Sequence, residues 1–264
     1  MPMLLSECQP RVHRPGSMPN TIAVAAMGGG SRTTTDAHPA GLPAILAQLV
    51  GQRLRVAHLG TASGESRESE QAVEELFGRV SEQVDDIAHA RILGSAAERR
   101  RSLRYLAGAN LVYVSGGNTA LALQAWRKHH ADDMLRQLSR HGVLMSGSSA
   151  GVLCWFDACV TDSFGAARVI DALGFIPGIA CAHYGEFQDG RKLLRRVARG
   201  YPTPSLGIAD GSLILYSQSC GYNAINLGVH RSVELQLKGE VIAEVPLKSI
   251  TLDVVRMGRK AGRR

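Results

Sequence analysis

The chain has 264 residues, of which 45% are hydrophobic and 20% are charged. This balance excludes a wholly disordered chain, and no apolar run reaches the roughly 18–20 residues that a membrane-spanning helix needs. The formal charge of +7 raises the question of nucleic acid, yet most of this excess lies in a basic tail after residue 255, which contains no acidic residue. We therefore predict neither a nucleic-acid nor a membrane partner.

Strands and helices are predicted to alternate along the chain. An apolar strand over 21–27 ends at three consecutive glycines, and a helix follows over 43–50. This alternation predicts a parallel sheet that helices cover on both faces, and the last strands are typical of antiparallel pairing. The further elements predicted are strand 54–59, helix 66–83, a weak strand 87–93, helix 96–106, strand 111–114, helix 119–138, strand 143–145, helix 150–156 and strands 213–216, 233–237 and 241–245.

No internal repeat or interior linker divides the chain, so we predict one folded domain over residues 20–250. A disordered extension is predicted over residues 1–19 and a basic tail over 251–264, and translation starts at either Met1 or Met18. The five cysteines are scattered without a CxxC pair. This pattern offers no metal site and favours free thiols in a reducing cytoplasm.

The strand 143–145 leads into Gly147-Ser-Ser149-Ala-Gly151, which has the GxSxG pattern of a nucleophile elbow. Ligands bind beyond the carboxyl ends of parallel strands, so this loop is expected at an active site. A sharp turn there lifts the Ser149 hydroxyl into the open, and the next amide can donate a hydrogen bond to a developing oxyanion. A Gly/Ser-rich turn without chemistry is the alternative.

A second loop follows strand 111–114 and reads Ser115-Gly-Gly-Asn-Thr119. Glycine backbone lets this loop approach a substrate closely and supply another oxyanion donor. An ordinary turn that caps the next helix is equally consistent with these residues.

A serine nucleophile needs a general base, and nine histidines are available. His58 lies inside a predicted strand and is expected to be a core histidine, whereas His183 follows the segment 178–182, at a predicted strand end. The base needs an orienting acid, for which Asp162 and Asp210 are the candidates. Either aspartate can instead be a turn residue that bonds its own backbone.

The ordered set of Gly-Gly-Asn-Thr, Gly-Ser-Ser-Ala-Gly, a following Asp and then His-Tyr resembles the peptidase E family of serine peptidases, which includes α-aspartyl dipeptidase and the cyanophycinases. The resemblance spans residues 20–245. It implies a three-layer α/β/α sandwich with a mostly parallel sheet, similar to class I glutamine amidotransferases, with serine in place of their cysteine.

The resemblance also implies a role for each matched residue. Ser149 matches the nucleophile, His183 the base and Asp162 the acid of a catalytic triad. Arg191 lies near the position of an arginine that holds the substrate aspartate in the dipeptidase, although a solvated helix face explains it equally well. The other matches are the oxyanion amides of Gly117 and Ala150 and a substrate contact at Asn118.

The function predicted is a cytoplasmic serine-type exopeptidase or dipeptidase that hydrolyses short peptides, with aspartate before the scissile bond as the first preference to test. No metal and no organic cofactor is predicted, and a homodimer is left open. Two alternatives remain. One is a non-catalytic small-molecule-binding or regulatory protein on the same fold, in which the loop 28–30 cradles a phosphate. The other is an amidase or acyl hydrolase with the same triad.

Overall fold

The computed structural model describes residues 23–30, 41–201 and 203–250, so the predicted extension over 1–19 and the tail over 251–264 lie outside the described residues. Within these ranges the strands form two sheets, and helices pack against them. The strands are β1 Val24–Met27, β2 Leu54–Leu59, β3 Val84–Ala90, β4 Leu111–Val114, β5 Leu144–Ser148, β6 Phe156–Phe164, β7 Ala166–Asp171, β8 Ile176–Cys181, β9 Ser205–Gly207, β10 Ser212–Ser217, β11 Gly221–Asn226, β12 Val233–Lys238 and β13 Val241–Pro246. The helices are α1 Leu42–Val50, α2 Arg67–Gly78, α3 Ala96–Gly108, α4 Thr119–Lys128, α5 Ala131–Arg140, α6 Ala150–Leu153 and α7 Gln188–Val197.

The first sheet has the strand order β11-β10-β1-β5-β4-β2-β3. Its five strands β1, β5, β4, β2 and β3 run parallel, and β10 and β11 continue it in antiparallel fashion. One face packs on α1 and α2 through residues such as Leu46 and Phe77, and the other packs on α3, α4 and α5 through Leu106, Trp126 and Leu135. The prediction of an α/β fold with helices on both faces of the sheet is confirmed.

The second sheet, of order β13-β12-β9-β8-β6-β7, was not anticipated from the sequence. Its β6, β8 and β9 run parallel, and α7 covers it through Leu194. The predicted helix 150–156 ends at Leu153, after which the chain enters β6. A short apolar run does not distinguish a buried helix from a buried strand, which explains the difference.

The predicted helix 119–138 is likewise divided into α4 and α5. His130 lies between them with φ of 56°, in the left-handed region that stops an α-helix. Helix α5 lies beside α3 and α4, and its Leu135 and Leu138 are buried.

The chain passes from one sheet to the other near the carboxyl end of β5, and these connections place the candidate site. Helix α6 joins β5 to β6, and the turn 208–211 joins β9 to β10. Ser149 immediately precedes α6, Asp210 lies in the turn 208–211, and His183 follows β8. Residues far apart in the chain are thereby brought to one edge of the structure.

No helix of the described ranges is long and apolar enough to cross a membrane. Cys154, Cys159 and Cys181 are free thiols, and burial raises the pKa of each. Cys220 is disulfide-bonded. The prediction of free thiols therefore holds for Cys154, Cys159 and Cys181 and is wrong for Cys220. A cytoplasmic location stays a prediction.

Candidate active site

Ser149 occupies a strained turn between β5 and α6. Its φ of 58° and ψ of −114° are unusual for a residue with a side chain. A Cβ on either Gly147 or Gly151 would collide with the carbonyl oxygen of Val114 on the neighbouring strand, so both positions require glycine. The Ser149 amide donates to the carbonyl of Met27 at 3.0 Å, which ties the turn to β1. The sequence therefore forms the elbow that its GxSxG pattern predicts.

The Ser149 hydroxyl contacts an imidazole, as predicted. Oγ lies 2.8 Å from Nε2 of His183, and Nδ1 of the same ring lies 2.7 Å from Oδ1 of Asp210. A carboxylate can only accept, so Nδ1 carries the proton and Nε2 is free to accept from the serine hydroxyl. Hydroxyl, imidazole and carboxylate thus form one hydrogen-bonded line, the arrangement that activates a serine nucleophile.

The acid that bonds Nδ1 of His183 is Asp210 and not Asp162, which corrects the contact expected of Asp162. The Asp162 side chain is exposed beside the cavity and does not bond the ring. The prediction placed Asp162 just beyond a helix that follows the elbow, whereas Asp162 lies within β6.

Gly28 and Gly29, which follow β1, lie close to the catalytic candidates and leave no room for a side chain. A Cβ on Gly29 would stand 2.5 Å from Cε1 and 2.7 Å from Nδ1 of His183, and a Cβ on Gly28 would stand 2.6 Å from the Ala209 carbonyl oxygen. The carbonyl of Gly29 accepts a hydrogen bond from the Gly211 amide at 3.0 Å. At Gly28 and Gly29 the space is filled by protein, which disfavours a phosphate cradle there.

A cavity of about 290 Å³ opens in front of Ser149, and the predicted oxyanion residues Gly117 and Ala150 are among its lining residues. The loop after β4 passes close to the nucleophile, because a Cβ on Gly116 would lie 3.2 Å from Cβ of Ser149. Gly117 has φ of 136° and lies against the backbone of Ala62, where a side chain would clash. Two of the motifs singled out in the sequence therefore line the same cavity.

Asn118 is a helix cap. Its Oδ1 accepts from the Leu121 amide at 2.8 Å, and its Nδ2 donates to the Ser163 carbonyl at 3.0 Å. Both ends of the amide are used in joining α4 to β6, and Asn118 is not among the described residues that line the Ser149 cavity. The contacts of Asn118 are thus those of a helix cap, and a substrate contact at this residue stays a prediction.

Arg191 is held by an acidic residue of the protein itself. Its guanidinium lies 2.9 Å from Oε2 of Glu244 and 5.2 Å from the ring centre of Tyr184, and hydrogen bonding to Glu244 raises the pKa of Arg191. Arg195 donates to the same carboxylate at 2.6 Å. Arg191 is not among the described residues that line the Ser149 cavity, and its contact with a substrate aspartate stays a prediction.

Glu186 lies in the lining of the cavity without having been singled out in the sequence. It occupies the turn after His183, whose carbonyl oxygen accepts from the Glu186 amide at 2.9 Å and from the Phe187 amide at 2.7 Å. Motif analysis gives no signal for such a residue, because only its proximity to His183 in the chain relates it to the site.

Comparison with known proteins agrees with this geometry. The model of peptidase family S51 matches residues 24–220. The uncharacterized peptidase YgaJ of Bacillus subtilis (strain 168) is 26% identical over 226 residues, which cover 85% of this chain and 96% of the relative. A peptidase from an acI-B1 actinobacterium has a similar fold, with a TM-score of 0.60 at 15% identity over 85% of this chain and 93% of that one.

A protein assigned as peptidase E from Listeria monocytogenes EGD-e also shares the fold, with a TM-score of 0.56 at 16% identity over 78% of this chain and 98% of that chain. The family match covers well over half of the chain and includes the elbow, His183 and Asp210. The chain belongs to peptidase family S51, the peptidase E family of serine peptidases.

Proposed function

We propose that this serine peptidase hydrolyses short peptides through a triad of Ser149, His183 and Asp210. The observation that carries the proposal is the hydrogen-bonded line from Oγ through the imidazole to Oδ1, with distances of 2.8 and 2.7 Å. The strained backbone of Ser149 adds support, because an unusual φ of 58° is maintained only where the surrounding structure enforces it.

In the first half of the reaction, Ser149 Oγ attacks the peptide carbonyl carbon while its proton passes to Nε2 of His183. The amides of Gly117 and Ala150 would donate to the resulting oxyanion, and each such donor is typically worth about 3–4 kcal/mol. The C–N bond then breaks, and His183 returns the proton to the leaving amine. Asp210 holds the ring in the required tautomer and stabilises the imidazolium as it forms.

In the second half, water attacks the acyl-enzyme ester and transfers a proton to His183. Collapse of the second tetrahedral intermediate breaks the ester bond, and His183 returns the proton to Ser149. Every proton is carried by groups of the chain and by water.

The contacts of Ser149, His183 and Asp210 also bear on the two alternatives, a non-catalytic binding protein and an amidase or acyl hydrolase. A binding protein without catalysis does not require a strained serine whose hydroxyl bonds an oriented imidazole, so the geometry favours an enzyme. An amidase or acyl hydrolase would use the same three side chains, and the choice of bond depends on the substrate pocket. Exopeptidase action and a preference for aspartate are hypotheses that a substrate panel must decide.

The test compares wild type with Ser149→Ala on a panel of dipeptides and tripeptides varied at the first residue, together with simple amides and esters. We expect the substitution to lower kcat by at least about 10³-fold on every substrate cleaved. Ser148→Ala is the matched control, because Ser148 is the adjacent serine at the end of β5 and is not among the lining residues of the cavity. A Ser149→Ala protein as active as Ser148→Ala would refute the proposal.

A further inference from the structure

The cavity in front of Ser149 is acidic although the chain as a whole carries +7. Among its described lining residues, Asp162 and Glu186 carry the carboxylates, and neither lysine nor arginine is present. In the described part of the chain, no hydrogen bond or ion pair engages either carboxylate. Both acids are exposed to the space that a substrate would fill.

The nearby arginines do not neutralise these two carboxylates. Arg191 and Arg195, on the helix that follows Glu186, both bond Glu244 of β13. The contacts of both guanidinium groups are thus with a third acid, whose carboxylate also accepts from the Tyr184 hydroxyl at 2.9 Å. The two lining carboxylates therefore remain available for a positive group on a ligand.

The remaining walls suit the stem of a long side chain. Leu153, Val160, Ala182 and Phe187 give the cavity apolar surface, and its volume of about 290 Å³ leaves room for a long side chain. Lysine and arginine bury their methylene stems along apolar surface and keep the charged end among polar groups. Charge-assisted hydrogen bonds to carboxylates are about twice as strong as neutral ones.

We propose that this cavity selects peptides that present a cationic nitrogen group, with Asp162 and Glu186 as the residues that determine specificity. This inference rests on the proposed function, because it names the substrate class of the same site. The cation can be supplied by a lysine or arginine side chain or by a free α-ammonium group, and the test separates these two sources.

The kinetic test uses peptides that differ only at the residue before the scissile bond, which is lysine, norleucine or glutamate. Norleucine matches the stem of lysine and lacks its ammonium group. We expect kcat/KM to be about 10- to 100-fold higher for lysine than for norleucine, and lowest for glutamate. If an acetylated amino terminus leaves the preference intact, the side chain supplies the cation; if acetylation abolishes binding of every peptide, the α-ammonium does so.

Variants of the two carboxylates test the assignment. Asp162→Asn and Glu186→Gln should each reduce the preference for the cationic substrate, and Glu186→Lys should shift it toward glutamate. Asp189→Asn is the matched control, because this acid of α7 is 77% exposed, pairs with Lys192 at 3.5 Å and does not line the cavity. It makes the same change in charge and should leave the preference unaltered.

A binding measurement keeps the inference separate from the catalytic proposal. Calorimetry on Ser149→Ala with the lysine, norleucine and glutamate peptides needs no turnover, and we expect the cationic peptide to bind about 10-fold more tightly than norleucine. Equal affinities for the three peptides that acetylation of the amino terminus leaves unchanged would refute the inference while leaving the triad intact. Unchanged hydrolysis by Ser149→Ala, together with tighter binding of the cationic peptide, would refute the triad and support the cavity's selectivity.

Discussion

Gly29 lies so close to His183 and Asp210 that a side chain at residue 29 would collide with both. A Cβ at residue 29 would stand 2.5 Å from Cε1 of the ring, well inside van der Waals contact. Gly29 follows β1, and β1 is hydrogen-bonded to the elbow strand β5, with Met27 paired to Ser148. The glycine loop therefore supports the imidazole from one side while Ser149 contacts it from the other.

The first prediction concerns Gly29→Ala. The added methyl should displace the imidazole from Ser149, and a misplacement of about 1 Å can cost about 10²-fold in rate. We expect kcat to fall by about that factor while the thermal unfolding transition remains cooperative. Gly78→Ala is the control, because a Cβ there meets nothing within 4 Å and the residue lies in α2. Equal kcat for both variants would show that Gly29 does not position the ring.

The second prediction distinguishes the two candidate acids. Asp210→Asn should lower kcat by about 10³- to 10⁴-fold, because the amide no longer fixes the tautomer in which Nε2 accepts the serine proton. Asp162→Asn should affect kcat far less, since its carboxylate does not bond the ring. Steady-state kinetics on a neutral peptide measures both variants. A larger loss in kcat for Asp162→Asn would restore the assignment made from the sequence.

A second set of polar side chains lies beneath the loop after β4. His58 is 1% exposed, and its Nδ1 lies 2.8 Å from Nδ1 of His89 while its Nε2 lies 3.1 Å from Oγ of Ser115. Oγ of Ser69 lies 2.9 Å from Oγ of Ser115. Burial, with the neighbouring charges of His89 and Arg91, lowers the pKa of His58 to about 3. His58 is thus the core histidine that the sequence predicts.

The third prediction follows from this shift in pKa. Below the ordinary histidine pKa of about 6.5, the unfolded chain binds a proton at His58 that the folded chain does not bind until about pH 3. The contribution of His58 to the free energy of unfolding should therefore be fully present above about pH 6.5. It should decrease as the pH falls below this value, by up to about 1.4 kcal/mol per pH unit.

Urea unfolding at about pH 7 and about pH 5 tests this dependence in wild type and His58→Gln. The variant should lose less stability between the two pH values, even if it is less stable at both. His130→Gln is the control, because the His130 side chain is 83% exposed. The same pH dependence in all three proteins would contradict the prediction.

The fourth prediction concerns Asn118→Ala. Loss of a capping side chain at α4 should lower the free energy of unfolding by about 0.5–2 kcal/mol. Because Asn118 does not line the Ser149 cavity, KM should change little for peptides that wild type cleaves. Denaturant unfolding and steady-state kinetics measure the two effects. A large rise in KM without loss of stability would show that Asn118 binds substrate instead.

The elbow and its histidine could be predicted because their signals are local. Glycines on either side of Ser149 are required by contacts with one neighbouring strand, and a strand followed by this turn is recognisable in the sequence. His183 was found because it follows an apolar strand. The loop 115–119 was correctly predicted to lie beside Ser149, because it follows β4, and β4 is the parallel neighbour of β5.

The acid and the second sheet depend on contacts between distant segments. Asp210 reaches His183 only because the chain turns between β9 and β10, and its sequence context is that of an ordinary turn. A continuous apolar run contains both the end of α6 and the start of β6, and the sequence does not show where one gives way to the other. The position of Asp162 was therefore predicted from a helix, although the residue lies in a strand. Arg191 bonds Glu244, which lies 53 residues later in the chain, so the sequence gives no local signal for this contact.

The central claim is that Ser149 is the nucleophile, and covalent labelling followed by peptide mapping tests it most directly. A fluorophosphonate reagent should form one adduct, with Oγ of Ser149 bonded to phosphorus and fluoride released, and Asp210→Asn should slow its formation. Mapping distinguishes Ser149 from the adjacent Ser148. An adduct on another residue, or peptide hydrolysis that continues after Ser149 is fully labelled, would contradict the account.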